Sequence, residues 1–195
     1  MPDRDFNTNS QLREIRDEVL DCRKCQLYKT RIYPVIGQGS HQAKIFIVSE
    51  APGSNENKTG RPFCGQAGKI LDELLGSVGI KREEIYITNI LKCRPPSNRN
   101  PSKDEIKVCS PYLLRQLDII KPKIICCLGN FAAQLIMEKF DLADKIEGIS
   151  KIHGQVFMSN DLKIISLYHP VVVTYNTAMR EVLRKDFEIL KKFKL

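Results

Sequence analysis

Residues 44–49, KIFIVS, run straight into residues 50–65, EAPGSNENKTGRPFCG. The first six are a short run of mostly branched apolar residues, which predicts a buried strand. The next sixteen carry three glycines and two prolines, which predicts a loop at the strand's carboxyl end. Residues 66–78 follow with Ile70, Leu71, Leu74 and Leu75 on one helical stripe. The same alternation recurs along the chain. EIYIT at 84–88 predicts a second strand, RPPSNRNP at 94–101 a second rich loop, and 102–120 a helix opened by the capping-box pair Ser102 and Glu105. KIICCLG at 123–129 predicts a third strand and 130–140 a helix. QVFMS and LKIISL, separated by Asn160 and Asp161, read as a hairpin or strand pair, and a last helix covers 177–193. Strands alternating with helices predict an α/β fold, a three-layer sandwich with a central, mostly parallel sheet.

Working outward, residues 10–21 predict one more helix, with Leu12, Ile15, Val19 and Leu20 on its stripe. The first nine or so residues are expected to be an arm on a single domain spanning 1–195. Folding a chain of this length removes roughly 70% of its unfolded surface from water. The composition, 42% hydrophobic and 28% charged, is ordinary for a globular protein. No apolar run reaches membrane-span length, and the polar N-terminus lacks a signal-peptide core. A cytoplasmic monomer with no membrane partner is the expectation. The net charge of +8 favours a polyanionic partner such as nucleic acid, although Lys191, Lys192 and Lys194 equally suit a solvated helix end.

Seven cysteines in an intracellular chain point to metal or burial rather than disulfides. Cys22 and Cys25 form a C-x2-C pair, Cys93 follows a strand, and Cys109 sits on the next helix. Four thiolates suit zinc or an iron–sulfur centre. The wide Cys93–Cys109 spacing is not a zinc knuckle, which favours a cluster. Cys126 and Cys127 lie inside a strand and read as core, and Cys64 as packing within the site loop.

In open α/β sheets the site lies beyond the carboxyl ends of the strands. That rule selects the loops after residues 49, 88 and 168. Their motifs, SEAPGSNENKTGRPFCGQAGKILDELL, YITNILKCRPPSNRNP, EIKVCSPYL and LYHP, resemble in order those of the family 4 uracil-DNA glycosylases. The likeness runs from about Cys22 to Asp186. It implies an α/β/α sandwich, a [4Fe–4S] cluster on Cys22, Cys25, Cys93 and Cys109, and uracil-containing DNA, single- or double-stranded, as substrate. Two positions depart from the family pattern: Ser49 stands where glycine is usual, and Asn57 where a second acidic residue is usual.

The implied reaction is hydrolysis of the bond between uracil N1 and deoxyribose C1′, after the base has left the stack. Glu50, Glu56 and His169 are the expected catalytic residues. His169 would donate to O2 of the departing base, Glu50 is the first choice to hold the water, and Glu56 would either hold it or form the wall that rejects the thymine methyl. Ser49, Ala51, Phe63 and Asn89 would join His169 in binding uracil, Phe63 by stacking and Asn89 by its amide on O4 and N3–H. Arg94, Arg99, Tyr175 and Arg180 are the expected DNA contacts, with Val173, Tyr175 or Arg180 as a minor-groove wedge, although the apolar residues of that stretch equally suit a core. Two other readings remain open in the sequence: a glycosylase for another deaminated base such as hypoxanthine, and a non-catalytic iron–sulfur protein that binds nucleic acid or senses redox state.

Overall fold

A computed structural model describes residues 2–193, with side-chain surroundings from Asn7 onward. Six strands form one sheet in the order β1-β3-β2-β4-β6-β5. The chain enters through α1 (Pro2–Leu20), β1 (Gln38–Gly39) and β2 (Ile45–Ser49), then α2 (Ser54–Thr59), α3 (Gln66–Ser77) and β3 (Tyr86–Asn89). It continues through α4 (Lys103–Ile120), β4 (Ile124–Leu128), α5 (Asn130–Lys139), α6 (Ile149–Ile152), β5 (Gln155–Ser159) and β6 (Leu162–Leu167). α7 (Val172–Tyr175) and α8 (Met179–Phe187) follow, and a 3-10 turn over Glu188–Lys192 closes the described chain. Lys194 lies outside it.

Strands β3, β2, β4 and β6 are parallel, and the edge strands β1 and β5 are antiparallel. The central strands are buried on both faces, and the period of two sorts their side chains between two cores. Phe46, Val48, Ile125 and Cys127 face α1, α4 and α5 with Ile15, Leu113 and Ile136. Ile45, Ile47, Cys126 and Leu128 face the other way, onto Leu71 and Leu74 of α3 and Leu183 and Phe187 of α8. This is the expected three-layer sandwich. Cys126 and Cys127 are core residues, one on each face.

Four local expectations need correction. α1 begins at Pro2 rather than at residue 10. The loop after β2 contains the helix α2, bounded by Gly53 and by Gly60 in the left-handed conformation. The closing helix is shorter than expected and tightens into a 3-10 turn after Phe187. Finally, Cys64 is exposed rather than packed, with its sulfur 3.2 Å from Thr59 Oγ1. The capping box on α4 forms as read: Ser102 Oγ accepts from Glu105 N–H, and the Glu105 carboxylate accepts from Ser102 N–H.

Candidate active site

The parallel register sets Ser49 beside Asn89 at the carboxyl ends of β2 and β3. The exit of β6 adds His169. Above these ends opens a cleft of about 630 Å³, lined by Ser49, Glu50, Ala51, Glu56, Phe63, Asn89, Arg99, His169 and Tyr175 among others. All seven expected catalytic and base-binding residues therefore meet in one place.

Both ring nitrogens of His169 are spoken for. Val171 N–H donates to Nδ1 at 3.1 Å, which places the proton of a neutral ring on Nε2. Nε2–H then donates to Ser49 Oγ at 3.0 Å. Burial lowers the pKa of this histidine to about 4, with the nearby Glu56 carboxylate opposing the shift. The ring is thus a neutral donor at physiological pH. Phe63 lies beside it, with ring centroids 5.6 Å apart and planes inclined by 25°.

Phe63 takes a left-handed backbone conformation, φ 49°. For a bulky residue this costs about 1–3 kcal/mol. The surroundings enforce it. A Cβ at Gly68 would lie 1.9 Å from the Phe63 carbonyl oxygen, so only glycine fits beneath the turn. Arg82 Nη2 donates to the Pro62 carbonyl at 2.6 Å. Glu56 Oε1 accepts from Cys64 N–H at 2.9 Å and Gly65 N–H at 3.0 Å. One oxygen of Glu56 is therefore engaged in holding the loop. Among the described residues Glu50 makes no such commitment; burial raises its carboxyl above the ordinary value.

Asn57 does not face the cleft. It is buried, and its Oδ1 accepts from Ile32 N–H at 3.1 Å. The departure at this position is a matter of loop anchoring. Ser49, the other departure, is the partner of His169.

The expected DNA contacts divide. Tyr175 is 85% exposed at the cleft rim, whereas Val173 is buried in the core and cannot act as a wedge. Arg94 Nε donates to Asn98 Oδ1 at 2.7 Å and has no carboxylate partner among the described residues. Arg99 makes a two-pronged contact with Glu105 at 2.8 and 2.6 Å, and Arg180 pairs with Glu73 on α3. Both of these charges are already partly neutralised.

Cys22, Cys25, Cys93 and Cys109 line a second, narrow cavity beneath α1, together with Val19, Leu27, Leu91 and Tyr112. Arg31 Nη1 donates to Cys93 Sγ, and Lys92 N–H to Cys109 Sγ, each at 3.3 Å. Burial raises the Cys93 thiol, and the Cys109 thiol to about 11. A bound metal centre reverses that preference and holds the sulfurs as thiolates. Among the described residues no three cysteine, histidine or acidic side chains converge on a single ion.

Sequence comparison agrees with this geometry. The family model for the uracil DNA glycosylase superfamily matches residues 36–192. The type-4 uracil-DNA glycosylase of Archaeoglobus fulgidus is 46% identical over 181 residues, 91% of this chain and 90% of the relative. Those of Sulfurisphaera tokodaii and Saccharolobus solfataricus are 41% and 43% identical, covering 93% and 91% of this chain and 84% of each relative. The chain belongs to the uracil DNA glycosylase superfamily and, within it, to the type-4 uracil-DNA glycosylases.

Proposed function

We infer that this chain excises uracil from DNA by hydrolysing the N1–C1′ bond, leaving an abasic site. The observation that carries the reading is the neutral His169, its Nε2–H directed into a cleft that also holds Asn89, Phe63 and Glu50. A non-catalytic binding module has no use for that constellation.

The base leaves the stack and enters the cleft. Phe63 covers its face. The Asn89 amide donates to O4 and accepts from N3–H, a pattern cytosine cannot satisfy. As the bond to C1′ lengthens, negative charge gathers on O2, and His169 Nε2–H turns from Ser49 Oγ to that oxygen. A donor set in advance against developing charge is the largest single contribution available to such a site. Water attacks C1′ from the other side, positioned by Glu50. Glu56 keeps the Phe63 loop in place. Arg94 and Tyr175 contact the DNA at the rim.

The four cysteines fit an iron–sulfur cluster. The donor set is all thiolate, and two N–H groups point at its sulfurs, as expected around anionic sulfur. Each cysteine of a [4Fe–4S] cluster binds its own iron, and all four cysteines line the one cavity. Cys22, Cys25, Cys93 and Cys109 would hold it. Its contribution is structural, joining the end of α1 to the loop after β3 and to α4.

The test is direct. Oligonucleotides with one uracil are incubated with the protein, treated with alkali and examined for cleavage at that position. Cleavage of the uracil strand is expected. Cleavage only at hypoxanthine, or at no base, would reject the reading.

A further inference from the structure

Lys92 is 1% exposed, and burial lowers the pKa of its amine to about 7, while the three acceptors around it favour the protonated form. It follows β3 by three residues, and its side chain turns back beneath the strand end. Nζ donates to Thr88 Oγ1 at 2.6 Å, to Gln116 Oε1 at 2.8 Å and to the Asn89 carbonyl at 2.9 Å. An ammonium has three N–H donors, and each meets one acceptor. Those acceptors are themselves fixed: Thr88 Oγ1 donates to the Ile36 carbonyl at 2.7 Å, and Gln116 Nε2 to the same oxygen at 3.0 Å and to Tyr86 Oη at 3.2 Å. Lys92 is also tied through its backbone. Its N–H reaches Cys109 Sγ, and its carbonyl accepts from Val35 N–H at 2.7 Å.

No carboxylate is among these partners. Burying an ammonium without one is expensive, and a methionine of similar length would fill the space without that cost. The arrangement makes sense if the position of the strand end matters more than its stability. Asn89 is the residue there that lines the cleft, and its carbonyl accepts from Lys92 Nζ. On the other side of the strand end, Ile90 N–H and Leu91 N–H donate to the carbonyls of Ser49 and Glu50. Asn89 is therefore gripped between the exit of β2 and Lys92.

We propose that Lys92 is a positioning residue for base recognition: its buried ammonium sets the backbone of Asn89, and thereby the amide that reads uracil, and ties both to the cysteine-bearing loop. This rests on the function inferred above, with Asn89 as the base reader.

Lys92→Met removes the ammonium and keeps the bulk. Binding of free uracil is measured by calorimetry, and kcat and KM are measured on a duplex with one uracil. Melting temperature, iron content and affinity for abasic-site DNA are measured on the same preparations. The expected result is a loss of uracil affinity of about tenfold, the loss of one charge-assisted contact. KM rises with it, kcat stays within about threefold, and iron content and abasic-DNA affinity are retained. Unchanged uracil affinity in the folded variant overturns the proposal, because a merely structural lysine would move only the melting temperature. Should Lys92→Met fail to fold, Lys92→Gln, a shorter donor able to reach only one of the three acceptors, is expected to shift uracil affinity in the same direction by a smaller factor. Unchanged affinity there is equally decisive. Wild-type protein that neither binds uracil nor cleaves uracil-containing DNA removes the functional reading and this one together. Wild-type activity with unaltered Lys92 variants removes this one alone.

Discussion

The cysteine cavity and the base cleft are built from neighbouring stretches of chain and differ in almost every physical respect. The cavity is narrow, and apolar side chains surround its sulfurs. The cleft is broad, lined by carboxylates, amides and an imidazole, and open at a rim marked by Tyr175. The cavity draws on residues from α1 to α4 and holds elements together. The cleft draws on the ends of four strands, β2, β3, β4 and β6, and gathers ionisable and polar groups. None of the four cysteines lines the cleft, and neither glutamate nor His169 lines the cavity. The difference teaches that, on the proposed function, one small protein keeps its fastening and its chemistry in separate cavities, with Lys92 between them bonded to Asn89 on one side and Cys109 on the other.

The sharpest way to strengthen that separation is His169→Ala. Single-turnover excision is expected to fall by about 10²–10³-fold, the usual loss of a preplaced donor, with iron content unchanged. Next is Glu50→Gln, expected to lower the rate by about 10²-fold. Burial raises the Glu50 carboxyl, so in the wild type it gains its proton at a higher pH than an ordinary glutamate. The rate should decline as pH falls through that raised value, while His169 remains neutral down to about pH 4. In Glu50→Gln that acid limb should flatten, which a pH–rate profile reads directly. Ser49→Gly comes third. It removes one hydrogen bond to His169, worth about 1 kcal/mol, so kcat should change by less than about tenfold. Cys109→Ser comes last for chemistry. Visible absorbance and melting temperature should drop while kcat per folded molecule moves by no more than about threefold, since no reacting group is lost. A large kcat defect in well-folded Cys109→Ser would break the comparison.

Much of this was legible in the chain. The central strands announce themselves through branched apolar runs, the rule that sites sit at carboxyl ends of parallel strands selects the loops beside Glu50, Asn89 and His169, and the family resemblance singles out those residues within them. The helix α2 was hidden because SNENKT has no apolar stripe; Gly53 before it and Gly60 after it were the available signals. The Ser49–His169 bond joins residues 120 apart in sequence, and no local pattern encodes it. Val173 admits two readings, wedge or core, because VVVT in a motif loop suits either; a single turn of helix folds it into the core. Arg99 and Arg180 read as free cations because their partners, Glu105 and Glu73, become neighbours only in the folded chain. Lys92 sits in a motif between an apolar run and a cysteine, where a lysine reads as surface; its inward turn follows from Thr88 and Gln116, which the sequence does not place together.

The left-handed turn at Phe63 bears on the timing of recognition. Its unfavourable backbone is settled once, when the chain folds over Gly68 and closes against Arg82 and Glu56. An arriving base meets a wall already standing, and little ordering entropy remains to be lost at the encounter. Most nucleotides presented to such a protein are the wrong ones. A wall that does not rearrange lets each be released without a conformational step to undo.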